Sequence, residues 1–266
     1  MSWGRIWALV LRYTYLYTRS GPRIIEIFFW PLMDLLVWGY VTVYLHRVGG
    51  VSGPARAFMF LLGAMIFWDI LYRAQQGVTL SFLEDVWARN FLNVFVAPVR
   101  ISEFVAATYI VGMVRIALTI GALAALAYAL YAFNIFALGM SLVPFFANLL
   151  LMGWSLGMFT TALIIRWGQG AEGLAWGVPF LVQPIAAVFY PLDVLPRWLQ
   201  PVAMCIPATH VFEGMRQVLR GEGVSATTLC LAFGLNVVYL LAAAVFFRYM
   251  FDVARRKGLL AKLGTQ

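Results

Sequence analysis

The sequence predicts an all-α integral membrane fold in a single transmembrane domain over residues 1–266. It comprises six membrane-spanning helices, an N-terminal amphipathic interfacial helix, a short amphipathic helix after the second span, and an outer re-entrant helical hairpin before the last. Three observations predict it. Of 266 residues, 63% are hydrophobic and 11% charged, with a mean hydropathy of +0.87; a soluble domain carries about 25% charged residues. Six segments, about 24–45, 57–81, 104–130, 139–165, 172–190 and 227–251, supply the roughly 20 apolar residues that a helix needs to cross a bilayer core. None shows the period-two alternation of a transmembrane barrel. Backbone groups in lipid must be satisfied within their own segment, so the spans are helices.

Charge sets the expected orientation. With the N-terminus inside, the cytoplasmic segments hold Arg5, Arg12, Arg19, Arg23, Arg73, Arg89, Arg100, Arg166, Arg248, Arg255, Arg256, Lys257 and Lys262. The outer segments hold Arg47, Arg56, Arg197, Arg216 and Arg220, and Arg115 lies within a span. By the positive-inside rule both termini are cytoplasmic, in a multi-pass protein of the cytoplasmic (inner) membrane. The net charge of +8 then reflects orientation and attraction to anionic membrane lipid, and no nucleic-acid partner is expected. No cleavable signal peptide is expected, because the first apolar run is short, is broken by Arg12 and has no small-residue cleavage site after it. Cys205 and Cys230 read as free thiols, with a disulfide left open in an oxidising compartment. His46 and His210 are too few for a metal site.

Residues 3–20 form the interfacial helix. Arg5, Arg12 and Arg19 recur every seven residues and drift only about 20° per step, forming one stripe, with Trp3, Trp7, Val10 and Thr14 roughly opposite. Ser20-Gly21-Pro22 ends it and turns the chain into the bilayer. The first span carries Glu26, Trp30 and Asp34 at four-residue steps, then Trp38, with Pro31 allowing a bend. Acidic groups in a span should face protein or water.

The second span carries Asp69 and Arg73, an i,i+4 pair of opposite sign. A structural ion pair is the first reading and a gate contact the sharper one. Phe58, Phe60, Phe67, Trp68 and Tyr72 make this span aromatic, as packing residues or as the lining of a route for an amphipathic substrate. In the next stretch, 82–100, Leu83, Trp87, Phe91 and Phe95 fall on one helical side, and Glu84, Asp85, Arg89, Asn90 and Asn93 lie elsewhere, up to Pro98. The helix either docks a partner or rests on lipid headgroups.

The third span is rich in small residues, and its Arg115 needs a partner, for which a carboxylate of a neighbouring span is expected. The fourth contains the weak G-x-x-x-G of Gly153 and Gly157. The turn from Arg166 to Gly173 is glycine-rich, yet no Lys-Ser or Lys-Thr follows, so there is no Walker A motif. Between the last two spans, Pro191, Pro196, Pro201 and Pro207 divide the chain into pieces too short to cross. Thr209 to Arg220 reads as a helix with Val211, Met215, Val218 and Leu219 on one side and Glu213, Arg216, Gln217 and Arg220 on the other. Residues 191–224 therefore suggest a re-entrant outer hairpin.

In this order the features are similar to the membrane (permease) subunit of type-2 ABC exporters. Two stretches carry the resemblance: Glu84 to Val99, and Leu195-Pro196-Arg197-Trp198-Leu199 through Pro207 and His210 to Glu213-Gly214-Met215-Arg216. The chain departs at Tyr190-Pro191-Leu192, where smaller residues are expected. The resemblance implies a homodimer or heterodimer of permease subunits with two copies of a cytoplasmic ABC ATPase. Glu84, Asp85, Trp87, Arg89, Asn90 and Phe91 would form the coupling helix pressed into the ATPase. The route would run between protomers along spans one, two and five, past Trp30, Asp34, Trp38, Phe67, Trp68, Asp69, Tyr72, Arg73, Phe180 and Tyr190. No cofactor is expected in this chain; ATP and Mg would bind the partner ATPase. The substrate would be amphipathic or hydrophobic: a lipid, glycolipid, polysaccharide or drug-like molecule. An intramembrane enzyme is disfavoured, since no span holds a histidine and no G-x-S-x-G occurs. A non-transport scaffold or assembly factor is the alternative.

Overall fold

The computed structural model describes residues 1–48, 55–88 and 97–259. The described residues contain no strand. Helix α1 (Trp3–Thr18) leads into α2 (Gly21–Val48) and α3 (Ala55–Trp87); α4 (Ile101–Tyr131) follows. A 3₁₀ segment, Ile135–Ser141, enters α5 (Leu142–Trp167). After the half-length α6 (Leu174–Ile185) come the short α7 (Gln200–Met204), α8 (Pro207–Arg220) and the long α9 (Ala226–Arg256).

Four stretches among the described residues are long and apolar enough to cross a membrane: Gly21–Tyr44, Ile101–Tyr131, Ile135–Trp167 and Ala226–Arg256. Two expected spans differ. The second does not end near residue 81; it continues as one 33-residue helix to Trp87, about 50 Å long. The separate helix expected over 82–100 therefore has its first turn fused to α3, and residues 89–96 lie outside the described residues. The fifth, expected over 172–190, is helical for only 12 residues. That is about 18 Å, against a hydrocarbon core of about 30 Å. Two prolines, Pro179 and Pro184, lie inside α6, and Ala187 just beyond it takes a left-handed backbone (φ 51°) that stops the helix.

Helix α3 is the axis of the bundle and touches α2, α4, α5, α6 and α8. Its contact with α5 rests on the G-x-x-x-G pair. A Cβ at Gly153 would lie 2.5 Å from the Leu71 carbonyl oxygen, and one at Gly157 would lie 2.8 Å from that of Gln75. Only glycine admits backbones at this distance. Around this axis one core gathers Phe67, Phe145, Phe212 and Met215, and a second gathers Phe82, Leu83, Ile165 and Phe247. A buried Asn236–Asn148 hydrogen bond of 2.8 Å joins α9 to α5. The outward faces of α2, α4 and α9 are apolar, with Phe29, Val114, Leu118, Val238 and Leu241 exposed as lipid-facing residues would be.

Candidate functional site

Two groups of polar residues inside this apolar bundle stand out. The first is a junction where α1 is held by carboxylates of α3 and α4. The buried face of α1 is Ile6, Leu9, Val10, Tyr13 and Tyr17, the spacing of one helical side, and it packs on Phe104, Ala107 and Val111 of α4. Arg5 and Arg12 of the expected stripe both meet carboxylates, Glu103 at 3.6 Å and Asp85, and of the residues expected opposite only Val10 is buried. Arg12 turns inward to pair with Asp85, while Trp3 and Trp7 stay exposed.

Glu84 and Asp85, expected to face a partner, are both turned toward α1 instead. Asp85 is fully buried and accepts from Arg12 and from the Tyr13 hydroxyl at 2.7 Å. Glu84 accepts from the Tyr17 hydroxyl at 2.7 Å, with Arg23 of α2 at 3.9 Å. Burial, and then the Asp85 carboxylate, push the Tyr13 hydroxyl well above the ordinary tyrosine range, so it remains a donor. The same Tyr17 oxygen accepts from Arg115 of α4 at 2.6 Å, with the guanidinium 4.2 Å from the ring centroid. Arg115 thus finds a tyrosine, not the expected carboxylate, and reaches Glu84 through it. Buried Glu103 completes the clamp, accepting from the Ser2 backbone N–H at 2.6 Å and the Arg100 N–H at 2.9 Å. Trp87, one turn from this junction, is 47% exposed. Arg89, Asn90 and Phe91 lie outside the described residues.

The second group lines the seam between α2, α3 and α6. Arg73 Nε donates to Asp69 at 2.6 Å, and Asp34 of α2 is exposed and forms no ion pair among the described residues. Tyr72 meets Phe180 of α6 at 5.7 Å between centroids, and Trp38 stacks on Phe189 at 4.3 Å. Trp30 is exposed on the same helix as Asp34. Phe67 does not join them. It is wholly buried, edge-on to Phe145, and Trp68 is buried in the same core. Tyr190 folds back on α6 through a bond to the Pro184 carbonyl.

Behind the seam a buried amide and hydroxyl network has no separate sequence signal. Gln75 Nε2 and Gln76 Nε2 both donate to the Ala175 carbonyl, at 3.0 and 2.9 Å, and Thr79 and Thr160 share a bond of 2.8 Å. The network ties α3 to the first turn of α6.

At the opposite end, α8 forms as expected, though Arg216 does not lie on a solvated face. It is buried, pairs with Glu213 at 2.6 Å, and donates to the carbonyls of Ala187 and Tyr190 just past α6. Glu213 in turn accepts from the Leu192 N–H at 2.7 Å. The guanidinium thus satisfies backbone carbonyls of the segment that follows α6. His210 bonds the Met204 carbonyl at 2.8 Å, Pro207 opens α8 and is buried, and Pro196 and Trp198 are exposed. Cys205 and Cys230 are free. No cluster suited to a metal occurs among the described residues.

No protein-family model matches the chain. The inner membrane transport permease YadH of Escherichia coli (strain K12) is 24% identical over 217 residues, covering 76% of this chain and 79% of that protein. The proteins of the same name from Escherichia coli O157:H7 and Shigella flexneri match to the same extent. The chain is thus a distant homologue of an inner membrane transport permease, and its long apolar helices suit a multi-pass protein of that membrane.

Proposed function

We infer that this chain is the permease subunit of an ATP-driven exporter, moving an amphipathic or hydrophobic substrate across the cytoplasmic membrane with the energy of a separate ABC ATPase. Both termini and α1 would lie in the cytoplasm, with α7 and α8 outside. Two permease subunits, identical or homologous, would work with two ATPases. The observation that carries the reading is α3 itself. One rigid helix runs from the carboxylate junction at Glu84 and Asp85, past the Asp69–Arg73 pair, with α6 bound to its side. Force applied near Trp87 would reach α1 and α4 through Asp85, Glu84 and Tyr17. It would reach the α2–α3–α6 seam along the helix axis. Such a linked body is what a two-state permease needs if closure of an ATPase is to change the route.

In this reading Trp87 is the large exposed anchor for the ATPase, while Glu84 and Asp85 transmit rather than touch. The short α6, held at its far end by Arg216, would leave the seam open toward the outside. The aromatic walls at Tyr72, Phe180, Trp38 and Phe189 suit an apolar or amphipathic substrate, and no substrate is singled out. Trp87→Ala is expected to keep normal folded yield, since the side chain is half exposed, and to lower ATPase co-purification or uncouple hydrolysis from transport in proteoliposomes. If both stay at wild-type values, the coupling role leaves this segment. A chain that never associates with any ATPase would instead fit a scaffold or assembly factor.

A further inference from the structure

The elbow between α1 and α2 carries a cleft of about 530 Å³, lined by Arg12, Tyr15, Leu16, Arg19, Ser20 and Arg23. Three arginines converge on it, and their charges are unequally committed. Arg12 is bound by Asp85. Arg23 is held only loosely, 3.9 Å from Glu84, which already accepts from Tyr17. Arg19 makes no ion pair among the described residues, its guanidinium lying 5.4 Å from the Tyr15 ring centroid. Glu26, the carboxylate on the first turns of α2, pairs with neither Arg19 nor Arg23 among the described residues. The elbow therefore presents net positive charge, with the Arg19 guanidinium unpaired among the described residues and that of Arg23 held only by the long contact to Glu84 and by the Tyr17 ring at 5.9 Å.

The 28-residue α2 begins at Gly21 beside the cleft while α1 ends at Thr18 in the same elbow, so the two helix dipoles oppose one another and the arginines are the source of the positive charge. A second feature defines the ligand. The rim is apolar: Leu16 and Tyr15 line the cleft, and exposed Leu11, Trp7 and Trp3 continue along the same helix. A free inorganic anion has no use for that rim. A phospholipid has, because its phosphate and its glycerol and acyl region lie side by side at the membrane surface.

We propose that the α1–α2 elbow is a binding site for the phosphate of an anionic phospholipid, held by Arg19 and Arg23, with Tyr15 and Leu16 against the start of its acyl chains. The site fixes α1 in the headgroup layer at the point where the chain turns into the bilayer. This rests on the membrane location of the chain and not on the transport reading.

The full-length protein, purified from nanodiscs of phosphatidylglycerol and phosphatidylethanolamine, can be scored by native mass spectrometry for retained phosphatidylglycerol. Arg19→Gln/Arg23→Gln is expected to reduce retention roughly tenfold or more, from the contribution of two arginines at a charged surface. Arg255→Gln/Arg256→Gln, an equal charge loss on exposed residues elsewhere, is expected to leave it unchanged. Arg19→Gln alone keeps the test valid should the double variant fold poorly, because Arg19 has no ion-pair partner to lose among the described residues; it is expected to give a partial loss. Equal retention in all variants, or equal loss in both double variants, overturns the site. Full displacement of the lipid by millimolar inorganic phosphate would identify a free-anion site and overturn the lipid assignment. So would loss of a co-purifying protein from Arg19→Gln/Arg23→Gln with lipid retention intact.

Discussion

Asp69 and Arg73 show what is readable at the scale of single residues. Their four-residue spacing on one helix places them side by side whatever the rest of the chain does, and they do close an ion pair. Removing one partner leaves a charge in a poorly hydrated site, which typically costs about 3–5 kcal/mol, whereas removing both avoids it. Asp69→Ala and Arg73→Ala are each expected to lower the yield of folded protein in detergent more than the double variant does. Additive losses would show that the two act independently. Asp85 is the opposite case: its partners Arg12 and Tyr13 are 73 and 72 residues away, so nothing local announces them. Tyr13→Phe should destabilise the folded state by about 1–2 kcal/mol, read as a lower thermal midpoint in detergent. Asp85→Asn should lower the midpoint further, because it also leaves Arg12 without its carboxylate. The excess is limited, since Arg12 is partly exposed. If Tyr13→Phe melts with wild type, the hydroxyl does not hold α1.

Among elements, the α3–α5 seam shows how a weak motif gains meaning from its neighbour. A single G-x-x-x-G is common in apolar helices, and by itself Gly121 of α4 looks no different from Gly153. In the folded chain a Cβ added at Gly121 would meet nothing within 4 Å, whereas one at Gly153 would run into the backbone of α3. Gly153→Val should therefore force the helices apart, forfeit much of the packing between the two cores and abolish stable folded protein in detergent. Gly121→Ala should be neutral or stabilising by up to about 1 kcal/mol, through reduced freedom of the unfolded helix. Comparable size-exclusion profiles for the two variants would show that the seam tolerates separation. The half-length α6 is less legible. Its apolar composition continues to residue 190, and the stop comes from Ala187 held left-handed with its carbonyl bound by Arg216, 29 residues away.

For the whole molecule, the proposed orientation can be tested by impermeant thiol labelling in intact cells. Both native cysteines are exposed, so the background must be Cys205→Ser/Cys230→Ser. Trp198→Cys, at a 75% exposed position between α6 and α7, is expected to label from outside. Lys257→Cys, beyond the end of α9, is expected to label only after permeabilisation. Labelling of Lys257→Cys in intact cells would reverse the orientation and with it the basis for an ATPase contact near Trp87.

The sequence by itself determined that the chain is helical, that most of its long helices are apolar enough for a membrane, and roughly where they begin and end. Those properties are local: they depend on the apolar content of successive windows and on prolines and glycines at their ends. Only the tertiary structure decided that Glu84 and Asp85 turn toward α1, that Arg115 rests on Tyr17, that Phe67 leaves the seam for the core, and that α6 stops halfway. Each outcome matches a polar or bulky group with one far along the chain. In an apolar bundle such a group must find a partner wherever the packed helices bring one. Helical spacing tells which side of its own helix a residue occupies; it does not tell which helix comes to lie opposite.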